Sequence, residues 1–144
     1  MIELRRVLYT ARAQADAGRD GHARTDDGRL EVTLRPPAEM GGPQASEGTN
    51  PEQLFAAGYA ACFHSALLIT ARHAQVEVGG SSVSAAVSIG PVSEGVGYGL
   101  SVTLTAAMPG VDPDAARDLL ERAHEVCPYS NAVRGNVEVS LELA

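Results

Sequence analysis

Two cysteines, Cys62 and Cys127, stand in very different settings in this chain. A thiolate is a nucleophile, a metal ligand and a redox group, so each role has to be weighed. Cys62 lies in Ala60-Ala61-Cys62-Phe63, and the ordinary fate of a free cysteine in such company is to be a small buried hydrophobe. Cys127 stands beside Pro128 and a polar run, YSNAVRGN, which reads as a loop after a helix end. A mid-helix cysteine and a helix-end cysteine could meet if their helices pack. There is no CxxC, which disfavours a thioredoxin-type dithiol. Zinc is the other common use of thiols, and His64 and His124 would complete a set of four ligands. His124 and Cys127 are three positions apart and share a helix face, but Cys62 and His64 are two apart and point to nearly opposite sides. Chelating one ion with both would break the helix, so no metal site is expected. His22 and His73 read as surface residues. Arg19, in the turn GRDG, has a plain reading as a solvated cation. Glu52 has one as a carboxylate near a helix N-terminus, where the dipole favours it.

The element that must position Cys62 is the stretch 49–72, TNPEQLFAAGYAACFHSALLITAR. It reads as one long helix. Asn50 is a good N-cap, Pro51 suits the first helical position, and Gln53 falls where a capping-box partner belongs. Arg72 and His73 sit where cations favour a C-terminus. Such a span of about 21 residues rises roughly 31 Å, enough to cross a membrane. Glu52, Gln53, His64 and Ser65 within it argue instead for a core helix covered on most sides. Cys127 ends a second helix, PDAARDLLERAHEVC, capped by Asp112 with Pro113 at its first position. Ala116, Leu119, Leu120, Ala123, Val126 and Cys127 share one face of it, and Pro128 should stop it at Cys127.

The remaining segments are strand-like. Residues 7–35 read as an antiparallel meander with turns at GRDG and DDG, and a Pro/Gly/Ser loop, 36–48, leads to the long helix. At about a dozen residues that loop is long enough to be functional. Residues 75–89 and 99–107 read as two strands, Met108-Pro109-Gly110 as a turn, and VEVSLEL as a final strand of period two. Strands, helix, strands, helix, strand is an α+β layout in a single domain, 1–144.

The charge is −7 and no lysine is present. The first argues against nucleic acid or an anionic membrane as partner; the second excludes Schiff-base chemistry and a Walker lysine. Met1 to Thr10 lacks the apolar run of a signal peptide, so a cytoplasmic location is expected, and a purely structural disulfide is not.

Three blocks, GRDGHARTDDG, GGPQASEGTNPEQLFAAGYAACFHSAL and AHEVCPYSNAVRGNVEV, together resemble the organic hydroperoxide resistance (Ohr) proteins of the OsmC/Ohr superfamily. The resemblance runs from about Tyr9 to Leu143. It implies an OsmC-like fold, with antiparallel sheets packed around two central helices, and an intertwined homodimer. It implies a cysteine-based peroxidase for alkyl or fatty-acid hydroperoxides, with Cys62 peroxidatic and Cys127 resolving. Arg19 would serve Cys62, and Glu52 would be the carboxylate partner of that arginine. It also implies dihydrolipoamide, carried on a lipoylated protein, as external reductant, with no bound cofactor and no metal. The physical requirement agrees: an apolar, mid-helix thiol has its pKa raised, so a cation is needed to hold the thiolate, and a carboxylate would hold a guanidinium fork in place. Phe55, Tyr59, Phe63 and Tyr129 are candidates for an apolar wall. Two other classes fit the same residues, a thiol-switch sensor that does not turn over and a non-catalytic binder of a lipid-like ligand.

Glu52 and Cys62 are ten positions apart (62 − 52), about 15 Å along one helix. A hydrogen-bonded partner must lie within roughly 3–4 Å. Either the helix breaks near Gly58, or Arg19 bridges much of the gap, or Glu52 comes from a second chain. The third is expected, because the long helix is apolar on more faces than one chain of this size covers easily.

Overall fold

A computed structural model of the chain describes residues 1–45 and 47–144; Ser46, in the loop 36–48, lies outside the described residues. The chain forms two compact units, Met1–Leu54 and Phe55–Ala144.

The first unit carries the expected meander. Strands β1 (Ala13–Asp16), β2 (His22–Thr25) and β3 (Glu31–Thr33) pair antiparallel in that order. It is shorter than the sequence pattern suggests. Residues 7–12 form no strand, because β2 has only four residues and each is already paired with β1. Between β1 and β2, Ala17 and Gly18 are both left-handed (φ 48° and 57°) and lead into a 3-10 turn, Gly18–Asp20. Gly21 has to be glycine, since a Cβ there would stand 2.1 Å from the Asp16 carbonyl oxygen. After β3, Leu34 bridges Thr49, and Thr49 N–H donates to the Thr33 carbonyl at 2.9 Å. This bridge brings the end of the 36–48 loop back onto β3 and fixes where the long helix starts.

That helix, α1 (Pro51–Ala74), begins in the first unit and runs unbroken through Gly58 into the second. Its start follows the sequence: Asn50 Oδ1 accepts from Gln53 N–H at 2.9 Å, with Pro51 first in line. The capping box is only half made, because the Gln53 side chain accepts from the Thr49 hydroxyl at 2.7 Å. The helix outlasts its expected end by two residues. Gln75 is left-handed (φ 58°), its N–H reaches the Arg72 carbonyl, and Val76 N–H reaches Ala71, which is the Schellman closure. Residues 75–81 are therefore cap and turn rather than strand.

In the second unit β4 (Ser82–Pro91) and β5 (Tyr98–Ala107) form a ten-residue antiparallel hairpin. Asp112 Oδ2 accepts from Asp114 and Ala115 N–H and starts α2 (Pro113–Val126). Pro128 ends α2 at Cys127, as its ring demands of the residue before it. The polar run after it is a further helix, α3 (Pro128–Val133), since a proline that stops one helix is well suited to begin the next. β6 (Glu138–Leu143) pairs with β5 in parallel. That sheet is mixed rather than antiparallel throughout, because α2 and α3 form the long crossover a parallel pair requires.

The fold is α+β, as expected, and its strands form two three-stranded sheets. Phe63, Leu67 and Ala71 of α1, Val102, Leu104 and Ala106 of β5, and Leu119, Leu120 and Ala123 of α2 make the core of the second unit. Val126, expected on the buried face of α2, is 56% exposed at the helix end. The buried side chains of α1 form a single stripe, Tyr59, Phe63, Ala66, Leu67, Thr70 and Ala71. Leu68 and Ile69 face outward, so one chain covers one side of this apolar helix rather than most of it.

Candidate active site

The two cysteines meet. Cys62, from the middle of α1, and Cys127, from the elbow between α2 and α3, hold their sulfurs 3.7 Å apart as free thiols. The elbow explains how. Cys127 is at once C-cap of α2 and N-cap of α3, with extended backbone (φ −66°, ψ 124°). Its N–H donates to the Ala123 carbonyl and its carbonyl accepts from Asn131, each at 2.9 Å. Held from both sides, its side chain is fully buried, whereas Cys62 is half-buried. A disulfide would draw the sulfurs from this contact to about 2.05 Å.

Burial pushes the Cys62 thiol above its ordinary value, and the neighbouring Cys127 thiol pushes the same way. The Tyr129 backbone N–H, directed at the Cys62 sulfur, works against both. Within the second unit this amide is the group that favours the thiolate, and burial outweighs it.

Tyr129 also belongs to an aromatic cluster. Its ring centroid is 5.9 Å from Phe55 and 5.7 Å from Tyr59, and Phe55 meets Tyr59 edge-on at 5.8 Å. Gly58 lets the Tyr129 ring lie against α1: a Cβ there would be 3.0 Å from the phenol oxygen and 3.2 Å from Cε2. Of the four apolar candidates, Phe55 and Tyr129 are accessible. Tyr59 and Phe63 are fully buried and cannot touch a ligand.

Arg19 and Glu52 form a separate pair inside the first unit. Nη1 and Nη2 of Arg19 donate to Oε2 and Oε1 of Glu52 at 2.7 and 2.6 Å, a fork-on-fork arrangement. The Arg19 hydrogen bond holds the Glu52 carboxyl below the usual carboxylate range. Asp20, next to Arg19, pairs with Arg35 at 3.2 Å, so both charged residues of the turn are tied down. Because this pair lies within one chain, Glu52 and Arg19 act as a unit, and the unbroken α1 removes the expectation of a break near Gly58.

The histidines considered as ligands have other partners. His64 Nε2 meets Ser81 Oγ at 3.1 Å and His124 Nδ1 meets Ser130 Oγ at 2.8 Å. The sequence reading missed Ser130, which also meets the Tyr59 hydroxyl at 2.8 Å. One signal was available: a tyrosine on a wholly apolar helix must find a partner for its hydroxyl.

Residues 41–142 match the OsmC-like protein family. Over its whole length the chain is 46% identical to the organic hydroperoxide resistance protein of Xanthomonas axonopodis pv. citri, all of which is covered. Among solved structures it is similar to an organic hydroperoxide resistance protein from Elizabethkingia anophelis (49% identity, TM-score 0.89, 96% of this chain and 97% of that one). It is similar also to OhrB of Bacillus subtilis (44% identity, TM-score 0.87, 96% and 100%).

Proposed function

The chain belongs to the OsmC-like protein family, in its organic hydroperoxide resistance branch, and from that premise we propose that it is a thiol peroxidase acting on organic hydroperoxides. The observation that carries the proposal is the 3.7 Å contact between a half-buried and a fully buried free thiol. The Cys62 thiolate attacks the terminal oxygen of the hydroperoxide. The O–O bond breaks, the sulfur becomes a sulfenic acid, and the alkoxide leaves as alcohol after taking a proton from water. Cys127 then attacks the sulfenic sulfur. Its thiol proton leaves with the hydroxyl as water, and a Cys62–Cys127 disulfide remains. An external dithiol such as dihydrolipoamide, free or on a lipoylated protein, restores both thiols by exchange and becomes the disulfide itself. The protein's own groups need no bound cofactor for these steps.

Burial raises the Cys62 thiol, so the thiolate requires a cation. We assign that role to Arg19, with Glu52 fixing its fork. In a symmetric homodimer the Arg19–Glu52 pair of one chain would serve the cysteines of the other. Two observations support this. The unbroken α1 keeps Glu52 ten residues from Cys62, and Leu68 and Ile69 on its outer face stay 39% and 49% exposed. A cytoplasmic location is part of this proposal, and the charge of −7 argues against a nucleic-acid or anionic-membrane partner.

One equivalent of an alkyl hydroperoxide tests the chemistry. Both thiols should be lost together and the intact mass should show an intramolecular disulfide, reopened by dihydrolipoamide with continued turnover. Thiols that survive the treatment would rule out the proposal. Mixing Cys62→Ser and Glu52→Ala subunits tests the composite site. Both lesions would then fall in one site of the heterodimer, leaving the other intact, so mixing should restore activity. A fully active monomer by sedimentation would exclude it.

A further inference from the structure

Ser130 is fully buried, and its hydroxyl joins three helices: it meets Tyr59 of α1 and His124 of α2 at 2.8 Å each, and itself belongs to α3. The positions matter. His124 and Ser130 lie three residues before and three after Cys127, one on each arm of the elbow, and Tyr59 lies on the helix that carries Cys62. A serine hydroxyl has one proton to give. Burial, with the Arg134 cation next, pushes His124 down towards its neutral form, and burial pushes the Tyr59 phenol up, so it keeps its proton. One pattern then satisfies every atom: Tyr59 O–H donates to Ser130 Oγ, and Ser130 O–H donates to His124 Nδ1. Among the described residues no buried side-chain nitrogen or oxygen lacks a partner.

We propose that Ser130 is a positioning residue for disulfide closure, its hydroxyl tying both arms of the Cys127 elbow to α1 so that Cys127 captures the Cys62 sulfenic acid before a second hydroperoxide does. This rests on the thiol-peroxidase reading above. Two fates compete for the sulfenic acid. In the first the Cys127 thiol forms the S–S bond and water leaves. In the second another hydroperoxide transfers an oxygen, giving a sulfinic acid and a second alcohol. The first is intramolecular, and its rate depends on the sulfurs being held near bonding distance; a misplacement of about 1 Å can cost on the order of 100-fold in such a step. Attack on the first hydroperoxide takes place at the Cys62 thiolate, favoured by the Tyr129 amide and the assigned Arg19 cation, and does not require Cys127 at bonding distance.

The test is a kinetic partition. Wild type, Ser130→Ala, Tyr59→Phe and Ser130→Thr are treated with graded tert-butyl hydroperoxide. The rate of first thiol oxidation is followed by stopped flow, and the ratio of sulfinic acid to disulfide by intact mass. Ser130→Ala and Tyr59→Phe should keep the first rate within about twofold while the sulfinic share at a given hydroperoxide concentration rises about tenfold. Ser130→Thr, which keeps the hydroxyl, should partition as wild type does. Tyr59→Phe keeps the ring and carries the test should Ser130→Ala fail to fold. Folded variants that partition as wild type does overturn the inference alone. A wild type that forms no disulfide overturns the peroxidase reading, and this inference with it.

Discussion

The cysteine pair and the arginine–glutamate pair are built by opposite means. Cys62 and Cys127 come from two well-packed helix segments, and their meeting follows from burial: a stripe on α1, a stripe on α2 and a proline-made elbow. Arg19 and Glu52 come from a turn with two left-handed residues and from the first turn of α1, and their meeting follows from charge. Each region lacks what the other has. The apolar setting brings two sulfurs within 3.7 Å but disfavours the thiolate. The charged pair offers a fixed guanidinium but no nucleophile. A thiol peroxidase needs both, and neither can be obtained by strengthening the other, since more burial raises a thiol's pKa and more charge spoils an apolar core.

Removing the nucleophile should have the largest effect. Cys62→Ser is expected to bring hydroperoxide consumption with dihydrolipoamide down to the rate without protein. Cys127→Ser should consume about one equivalent and then stop as sulfinic acid. Substantial turnover by Cys62→Ser would show that the cysteine contact has no part in catalysis.

Next comes the cation. The sign follows from direction: burial holds the Cys62 thiol high, a cation lowers it, and removing the cation must move it up again. The thiolate is present above the pKa and lost as pH falls through it. The rate of thiol oxidation in Arg19→Ala should therefore rise with pH along a curve displaced upward by about one to two pH units, and at pH 7 it should be roughly 10- to 100-fold slower. A profile that superimposes on wild type would assign the cation to another residue. Glu52→Gln, which keeps one acceptor for the fork, should fall between the two.

The same contrast governs what could be read from the sequence. Helix starts were legible, because Asn50-Pro51 and Asp112-Pro113 state their caps locally. So was the stop at Cys127. What followed was not: YSNAVRGN reads as polar loop, yet Pro128 opens a short helix that buries Ser130 against Tyr59. The parallel partner of β6 was hidden for a similar reason, since a strand's alternation fixes its two faces but not its neighbour's direction. Both cysteines could be singled out by type alone. Their contact could not, because it joins residues 65 apart through packing. The Arg19–Glu52 fork was suggested only by the family likeness of its motifs; nothing in the spacing of the two residues points to it.

A third effect should appear in substrate choice. Phe55 and Tyr129 are the accessible members of the aromatic cluster in the cysteines' own unit. An organic tail that buries about 100 Å² of apolar surface gains about 2.5 kcal/mol, roughly 60-fold in the second-order rate constant over hydrogen peroxide, which has no tail. Equal rate constants for cumene hydroperoxide and hydrogen peroxide would deny the apolar setting any role beyond positioning the sulfurs. Tyr129→Ala should narrow the preference by lowering the rate with the organic substrate more than the rate with hydrogen peroxide.

The smallest effect expected is that of Gly58→Ala, and it separates packing from helix propensity. Alanine in a helix interior is favoured over glycine by about 1 kcal/mol, so on propensity alone α1 should gain. The added Cβ, however, would stand 3.0 Å from the Tyr129 phenol oxygen and 3.2 Å from Cε2, so the ring has to move by a few tenths of an ångström. It has room to do so, because Tyr129 is 39% exposed. Moving outward, the ring loosens its contacts with Phe55 and Tyr59, at a cost comparable to the gain. Thermal stability should therefore change little, by less than about 1 kcal/mol in either direction. Catalysis should respond more clearly, since the residue that carries this ring also presents its backbone N–H to the Cys62 sulfur. A shift of Tyr129 that weakens this contact raises the thiol pKa further, so the pH profile of Gly58→Ala should move upward by a few tenths of a unit, in the same direction as Arg19→Ala but less far. A variant that is more stable by the full propensity gain, with an unchanged pH profile, would show that the ring yields freely and that the Tyr129 amide is held by α3 alone.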